Sequence, residues 1–252
     1  MMNIVFPYPN KKEIHMDIPY PYVNGFKFIK GSALLSDHSL ELNEISDFRE
    51  FFNDNIDLDP YSPVRIRGML KVEYHYSTRK LLKASTQNYF QSGNANNLNG
   101  GMSRSFNTIE GSLLNIPVFK ALFREHEPYI RKYCELNDAA TANISIHFIR
   151  YQAQEGEASY SSPVWLHQDD EPLVFIHLIN LTANTLGADN VISGFDDMPT
   201  NVIRLTHFMD CLVVDPSLKH AVTPIGSSSG TSRRDVMLIN LENPSQQNQG
   251  HY

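Results

Sequence analysis

Four segments rich in Ile, Val, Leu and Phe dominate the second half of the chain and constrain its fold more than any other feature. Clusters of Gly, Pro, Asn and Ser separate these segments, as is usual between strands. No intervening stretch is long enough for a crossover helix, so neighbouring strands are expected to run antiparallel. The pattern predicts a mainly β chain of the α+β class, built as a sandwich or barrel with helices packed outside. The four segments are residues 143–152, 172–181, 208–215 and 234–241.

The first half of the chain predicts two helices and one strand. Apolar residues recur at helical spacing over residues 36–53, with a cap at residue 36 or 37. A second helix is expected over residues 117–136, which begin with a proline suited to the first turn. Residues 65–77 alternate as in a strand, whereas residues 88–103 are rich in Gly and Asn. This Gly/Asn-rich segment predicts either an exposed loop without a role or a mobile lid.

One domain is expected over residues 25–241. The first 24 residues are rich in Pro and Tyr and predict an extended N-terminal arm, because each Pro disfavours helix at the residue before it. Residues 242–252 are expected to form a short C-terminal tail.

Composition excludes several classes of protein. The chain has 28 acidic residues against 21 Lys and Arg, a net charge of −7, which argues against a nucleic-acid binder. No apolar run reaches the roughly 18 residues of a membrane span, and no secretory signal is visible. Two cysteines cannot build a disulfide framework or a Cys-based zinc site. We therefore expect a cytoplasmic protein without a membrane partner.

Common catalytic motifs are absent or occur in the wrong context. Residues 226–230 read GSSSG and satisfy the G-x-S-x-G pattern, but a predicted strand follows them where a nucleophile elbow requires a helix. A flexible turn is the better interpretation. The chain has no P-loop, no G-x-G-x-x-G and no H-E-x-x-H, which argues against nucleotide hydrolysis, dinucleotide redox chemistry and zincin activity.

Two histidines and an aspartate have the spacing of a metal site. His167 and Asp169 are separated by one residue, so both side chains leave the same face if the segment is extended. His220 follows Asp169 by 51 residues and offers a third ligand. Two imidazoles and one carboxylate leave three positions of an octahedral ion open, as in non-haem Fe(II) oxygenases. The same set also suits zinc, or the three residues have no metal role and lie at a strand edge, in an acidic turn and in a loop.

Two adjacent arginines, Arg233 and Arg234, open the last apolar segment. An arginine at this position can bind the distal carboxylate of a dicarboxylate through two parallel hydrogen bonds, a geometry that lysine does not reproduce.

Several stretches of the chain resemble a known family. SSPVWLHQDDEPLVFIHLINL, together with LGADNVI, KHAVTPIG and RRDVMLINL, is similar to the bacterial Fe(II)/2-oxoglutarate-dependent amino acid hydroxylases of the L-isoleucine dioxygenase type. The likeness extends over residues 25–241, carried in the N-terminal half by RIRGMLK and RSFNTIEGSLLNIP. It implies a double-stranded β-helix, a jelly roll of the cupin-like kind, with flanking helices. It also implies hydroxylation of a free L-amino acid, with aliphatic side chains favoured, using Fe(II), O2 and 2-oxoglutarate and producing succinate and CO2.

The resemblance carries over residues of the metal and cosubstrate site. It implies that His167, Asp169 and His220 are the iron ligands. It assigns the 2-oxoglutarate carboxylate to Arg234 rather than Arg233, whose side chain strand alternation sends to the other face. Two further candidates on the cofactor side are Thr223 and His147.

Four residues are candidates for substrate binding. Arg65 and Arg67 share a strand face and lie in a matching stretch, so they either hold the substrate carboxylate or form an exposed pair. Arg150 belongs to an H-x-x-R-Y stretch with His147, but the two differ in strand parity, so both face the pocket only if the strand is bulged. Asp170 either pairs with the substrate ammonium or stabilises a turn.

Three further residues are expected in the core. Trp165 and Phe175 are interpreted as core aromatics that keep the site dry, and His177 as a core histidine with its hydrogen bonds satisfied. Two other functions stay open beside the hydroxylase. One is a cupin-like Zn- or Mn-dependent hydrolase or isomerase, and the other is a non-catalytic barrel that binds a small molecule.

Overall fold

The structure is a computed structural model that describes residues 25–243, apart from positions 63, 94, 95, 97–99, 162 and 195. The predicted N-terminal arm, most of the predicted tail and the middle of the 88–103 segment therefore lie outside the described residues. Strands dominate the described part of the chain, which confirms the mainly β prediction. None of its helices combines the length and apolar character needed to cross a membrane.

The strands are numbered β1 to β16 in chain order. Their bounds are β1 (Phe26–Ile29), β2 (Asp57–Leu58), β3 (Arg65–His75), β4 (Lys80–Lys83), β5 (Tyr89–Phe90), β6 (Ser103–Arg104), β7 (Asn107–Thr108), β8 (Thr141–Ala153), β9 (Leu173–Leu181), β10 (Thr185–Gly187), β11 (Asn190–Ser193), β12 (Pro199–Ile203), β13 (Cys211–Val214), β14 (Lys219–Val222), β15 (Ile225–Ser227) and β16 (Ser232–Leu241). All four predicted apolar segments contain a strand. The third is shorter than predicted, because Met209 has a left-handed φ of 62° and the Asp210 carboxylate accepts backbone N–H groups of the preceding turn.

The helices are α1 (Gly31–Leu34), α2 (Leu42–Asp54) and α3 (Pro117–Leu136), with a 3-10 helix at Gly111–Asn115. Helix α3 has the predicted bounds and begins at its proline. Helix α2 begins later than predicted, because its cap is Glu41 and not residue 36 or 37. The backbone N–H of Glu41 donates to the Glu44 carboxylate at 2.8 Å, which completes a capping box.

A main sheet of nine strands supports the molecule, in the order β1-β13-β9-β16-β8-β3-β2, with β4 and β7 also paired to β3. Its pairs are antiparallel except β3 with β7. A smaller layer consists of the three-stranded sheet β12-β11-β14 and the pair β10-β15. Strands β5 and β6 form a separate two-stranded pair.

Each face of the main sheet packs on its own core, because side chains alternate along a strand. On the outer face Phe148 of β8 lies against Phe52 of α2, with ring centroids 4.8 Å apart. On the inner face Ile149 and Ile176 form a second core with Ile192 of the smaller layer. Alternate residues along these strands therefore point in opposite directions, one set towards the helices and the other towards the space between the two layers.

Candidate active site

Backbone pairing brings the three predicted metal ligands together. His220 lies in β14, and His167 is bridged to it by two backbone hydrogen bonds, at 3.0 Å and 2.9 Å. Asp169 lies between the two imidazoles: its Oδ1 is 3.6 Å from Nε2 of His167, and its Oδ2 is 3.5 Å from Nε2 of His220. One ligand atom from each residue falls within 4.8 Å of the others.

The tautomer of His167 follows from its backbone contact. Nδ1 of His167 lies 3.0 Å from the carbonyl oxygen of Trp165, and a carbonyl only accepts, so Nδ1 carries the proton. Nε2 is then the ring nitrogen that faces Asp169. Burial lowers the pKa of His220 to about 4, so its imidazole is neutral at pH 7. Two imidazoles and a carboxylate are the donor set that fits Fe(II) in non-haem oxygenases.

These three side chains line a cavity between the two layers. Much of its wall comes from inward-facing residues of β8, β9 and β16. The apolar members of this wall are Ile149, Val174, Ile176, Val236 and Leu238. Such a cavity can bury an aliphatic group beside the metal ligands.

Arg234 lines the same cavity and is only 2% exposed. Its guanidinium lies over the ring of Tyr151, with Cζ 5.9 Å from the centroid, and donates a long hydrogen bond of 3.4 Å to Asn190. The preceding Arg233 is exposed, as strand alternation predicts. Of the two arginines, Arg234 alone lines the cavity with the metal ligands.

The two further cofactor candidates do not line the cavity. The Thr223 hydroxyl accepts a hydrogen bond from the backbone N–H of Asp189 at 3.0 Å, so it fixes a turn and the prediction for Thr223 is corrected. His147 is fully buried, and its Nδ1 accepts a hydrogen bond from Arg67 at 2.8 Å. Its contact with the cavity is therefore indirect, through Arg67.

Three buried arginines line another part of the wall. Arg65 and Arg67 lie on one face of β3, as predicted, and are 2% and 6% exposed, which excludes the exposed pair. Arg104 of β6 joins them at 1% exposed. Arg65 pairs with Asp59 at 2.6 Å. Burial, with the charge of Arg65 second, lowers the pKa of Arg67 to about 10.

A buried glutamate lies near these arginines. Glu171 is 1% exposed, lines the cavity, and accepts a hydrogen bond from the Tyr89 hydroxyl at 2.7 Å. Burial first, and the nearby Asp169 carboxylate second, raise the pKa of Glu171 above its usual range. Gln91 accepts a hydrogen bond from Arg104 at 3.1 Å. The cavity thus contains both acidic and basic groups apart from the metal ligands.

The family follows from a comparison of the whole chain with known families. Residues 50–240 match the model of the 2OG-Fe dioxygenase family. The chain belongs to that family. This 2OG-Fe dioxygenase is therefore a 2-oxoglutarate-dependent oxygenase that uses Fe(II) and O2.

Two curated relatives cover most of this dioxygenase. One, named 3(1)-hydroxy-L-isoleucine 4-dioxygenase, from Pantoea ananatis, is 34% identical over 227 residues, which are 86% of this chain and 92% of the relative. Another, named L-isoleucine-4-hydroxylase, from Bacillus thuringiensis, is 33% identical over 186 residues, 73% of this chain and 78% of the relative. Both relatives support the bacterial amino acid hydroxylase family, which the sequence motifs of this chain resemble.

Solved structures support the same fold. The crystal structure of IDO from Bacillus thuringiensis has a TM-score of 0.72 at 28% identity, over 86% of this chain and 93% of that chain. A bsmA homolog from Methylobium petroleophilum has a TM-score of 0.74 at 17% identity, over 87% and 89% of the two chains, and shows the fold alone. The predicted double-stranded β-helix is confirmed.

Two of the predicted substrate residues of the dioxygenase, Arg150 and Asp170, do not line the cavity. Arg150 donates to Asp235 at 2.7 Å and 2.8 Å and to Asn53 at 2.6 Å, on the helix-facing side of the sheet. β8 forms no bulge there, so Arg150 stays on the face opposite the cavity and its predicted substrate contact is corrected. Asp170 accepts the backbone N–H of Ser92 at 2.8 Å, and of its two predicted roles the geometry supports the structural one.

The predicted core residues differ in outcome. Trp165 is 53% exposed, so its prediction as a core aromatic is wrong; its segment crosses the surface before the metal ligands. Phe175 is buried but faces the helices, where it stacks on His126 at 3.8 Å. His177 is buried in the core, and its Nε2 lies 2.8 Å from Nε2 of His126. Its Nδ1 has no hydrogen-bond partner among the described residues, so the predicted satisfaction of both ring nitrogens is wrong.

The sequence interpretation missed Glu171, Arg104 and Tyr89. One signal was available for Glu171: it has the same parity as His167 and Asp169, two positions further along an extended segment. Tyr89 lies near the start of the Gly/Asn-rich segment 88–103 and Arg104 directly follows it, and the composition of that segment predicts an exposed loop or a mobile lid. Their burial depends on the pairing of β5 with β6, which composition does not reveal.

Proposed function

We propose that this dioxygenase hydroxylates a free L-amino acid, with an aliphatic side chain favoured, at an iron held by His167, Asp169 and His220. The observation that carries the proposal is the convergence of two imidazoles and one carboxylate on a buried cavity that Arg234 also lines. This donor set leaves open positions on the metal, as an oxygenase requires. The names of the two curated relatives support an amino acid as the substrate.

Arg234 is proposed to hold the distal carboxylate of 2-oxoglutarate. Within the described residues its guanidinium has one hydrogen bond, of 3.4 Å to Asn190, so its fork of donors is available for a bidentate pair. When bound, Fe(II), 2-oxoglutarate and O2 supply the oxidising chemistry for an unactivated C–H bond, with succinate and CO2 as co-products.

The protein selects the carbon that reacts by fixing the substrate. The apolar wall formed by Ile149, Val174, Ile176 and Leu238 packs against an aliphatic side chain and excludes water from it. Arg67 of β3 provides positive charge for the substrate carboxylate, whereas its neighbour Arg65 is paired with Asp59. A hydrolase, an isomerase or a non-catalytic barrel is not favoured, because the family is one of oxygenases.

We also expect the enzyme to act in the cytoplasm on a small molecule, without nucleic-acid or membrane partners. The two cysteines, Cys134 and Cys211, are buried and free, in keeping with a reducing compartment.

A panel of amino acids tests this function. The purified enzyme is incubated with Fe(II), 2-oxoglutarate, O2 and each L-amino acid, and mass spectrometry measures the gain of one oxygen atom. We expect one or a few aliphatic amino acids to gain oxygen, with succinate formed in step. The His167→Ala variant should lose this activity, whereas His207→Ala, at a side chain 85% exposed, should keep it. Succinate formation without any oxygenated amino acid would contradict the proposed substrate and point to a peptide-linked or N-acylated one.

A further inference from the structure

Two buried guanidiniums on the cavity wall lack a counter-charge. In the part of the chain that the structure describes, no carboxylate forms an ion pair with Arg67 or Arg104, whereas Arg65 has Asp59. Among the residues that the structure describes, the Nε atoms of Arg67 and Arg104 also have no hydrogen-bond partner. Burying a charge is costly unless it is paired, so these two groups favour an anion in the cavity.

Aromatic rings hold the two guanidiniums in place. Cζ of Arg67 lies 4.0 Å from the ring centroid of Phe106, and Cζ of Arg104 lies 5.1 Å from that of Tyr89. His147 and Gln91 each accept one of their N–H groups. Stacked and hydrogen-bonded guanidiniums lose little freedom on binding, so they are organised for a planar carboxylate.

Glu171 supplies an acidic group on the same wall. Its carboxylate is fixed by the Tyr89 hydroxyl, the same residue whose ring lies under Arg104. It follows Asp169, a proposed metal ligand, by two residues, and both line the cavity. A ligand near the metal ligands therefore meets one carboxylate and two guanidiniums within a single connected network.

We propose that Arg67 and Arg104 bind the α-carboxylate of the substrate and that Glu171 binds its α-ammonium. The enzyme would then require an α-amino acid with both groups free and reject one with either group blocked. This inference rests on the proposed function and deepens it by naming the groups that recognise the substrate. Other charged residues are committed elsewhere: Arg65 to Asp59, and Asp170 to the backbone of Ser92.

Binding without turnover tests the inference. Under nitrogen, with Fe(II) and 2-oxoglutarate added, calorimetry measures the affinity of three probes. They are the amino acid that reacts best in the panel, with L-isoleucine as first choice, its primary amide, and the corresponding acid without the amino group. Wild-type enzyme should bind the amino acid about 10-fold or more tightly than either analogue, because each analogue leaves a buried charge unpaired.

The variants separate the two halves of the site. Arg104→Met should weaken binding of the amino acid about 10- to 100-fold and abolish the preference over the amide, while keeping the preference over the acid without the amino group. Glu171→Gln should show the opposite pattern. Arg233→Met, at an exposed arginine, is the matched control and should keep both preferences.

Several outcomes would overturn the inference. One is that Arg104→Met and Glu171→Gln both keep the preference for the amino acid over its amide and over the acid without the amino group. Another is that Asp170→Asn, and not Glu171→Gln, abolishes the preference over the acid without the amino group. If Arg104→Met unfolds, Arg104→Lys replaces it, and an unchanged preference over the amide again rejects the inference. The proposed function fails in a different way, when wild-type enzyme binds Fe(II) and 2-oxoglutarate but neither binds nor oxygenates any amino acid of the panel.

Discussion

Replacement of Arg234 is the sharpest test of the proposed cosubstrate site. The side chain is 2% exposed, and its hydrogen bond to Asn190 is long, at 3.4 Å. Two hydrogen bonds to the distal carboxylate of 2-oxoglutarate would therefore be lost in Arg234→Met. At about 1.5 kcal/mol each, the lower value for charged hydrogen bonds, the loss is about 3 kcal/mol. That corresponds to a rise of about 100-fold in the KM for 2-oxoglutarate.

The assay measures succinate formation while the concentration of 2-oxoglutarate is varied. Anaerobic calorimetry with Fe(II) gives the affinity for 2-oxoglutarate independently of turnover. Arg234→Lys keeps the charge but loses the bidentate geometry, so its KM should rise by only about 10-fold. Arg233→Met is the control, since that side chain is exposed on the opposite face, and its KM should stay within about 2-fold of wild type.

A second readout separates loss of the carboxylate contact from general damage. A 2-oxo acid without the distal carboxylate, such as 2-oxobutyrate, should be a poor cosubstrate for the wild-type enzyme. The preference for 2-oxoglutarate over this analogue should nearly disappear in Arg234→Met. An unchanged affinity for 2-oxoglutarate in Arg234→Met, or a 100-fold loss in Arg233→Met instead, would refute the assignment.

Two further predictions concern stability. Burial lowers the pKa of His177 to about 3 and that of His126 and His147 well below the usual range, so all three are neutral when folded and take up protons on unfolding below about pH 6.5. Stability should therefore be full above pH 6.5 and fall by about 1 kcal/mol per histidine per pH unit below it; urea midpoints at pH 7.5 and 5.5 measure this, and equal midpoints would contradict it. Arg150→Met should destabilise the fold by about 3 kcal/mol, because Asp235 would be left buried without its partner. Its KM values for both substrates should stay near wild type, and a selective rise in the KM for the amino acid would restore Arg150 as a substrate residue.

Long apolar segments made most of the fold predictable from sequence. Strands β8, β9 and β16 are buried on both faces, so their sequences are rich in Ile, Val, Leu and Phe, most of all in β9. Short strands such as β5 and β6 are only two residues each and exist through pairing with distant partners. The predicted start of α2 was wrong because the sequence offers two possible N-caps. The helix uses Glu41, which forms a capping box with Glu44, and not Ser36.

Parity along single strands explains which site residues the sequence could locate. In β16, Arg234 pairs with Tyr151 and lines the cavity, while the adjacent Asp235 pairs with Arg150 on the helix side. One matching sequence stretch therefore contains residues for binding and residues for stability in alternation. Before β9, Asp169 and Glu171 line the cavity, whereas Asp170 between them accepts the backbone N–H of Ser92. A match to a motif thus places a residue near the site, but the direction of its side chain decides whether it reaches the cavity. Glu171 lines the cavity and Asp170 does not, so Glu171 is the better candidate for the substrate ammonium.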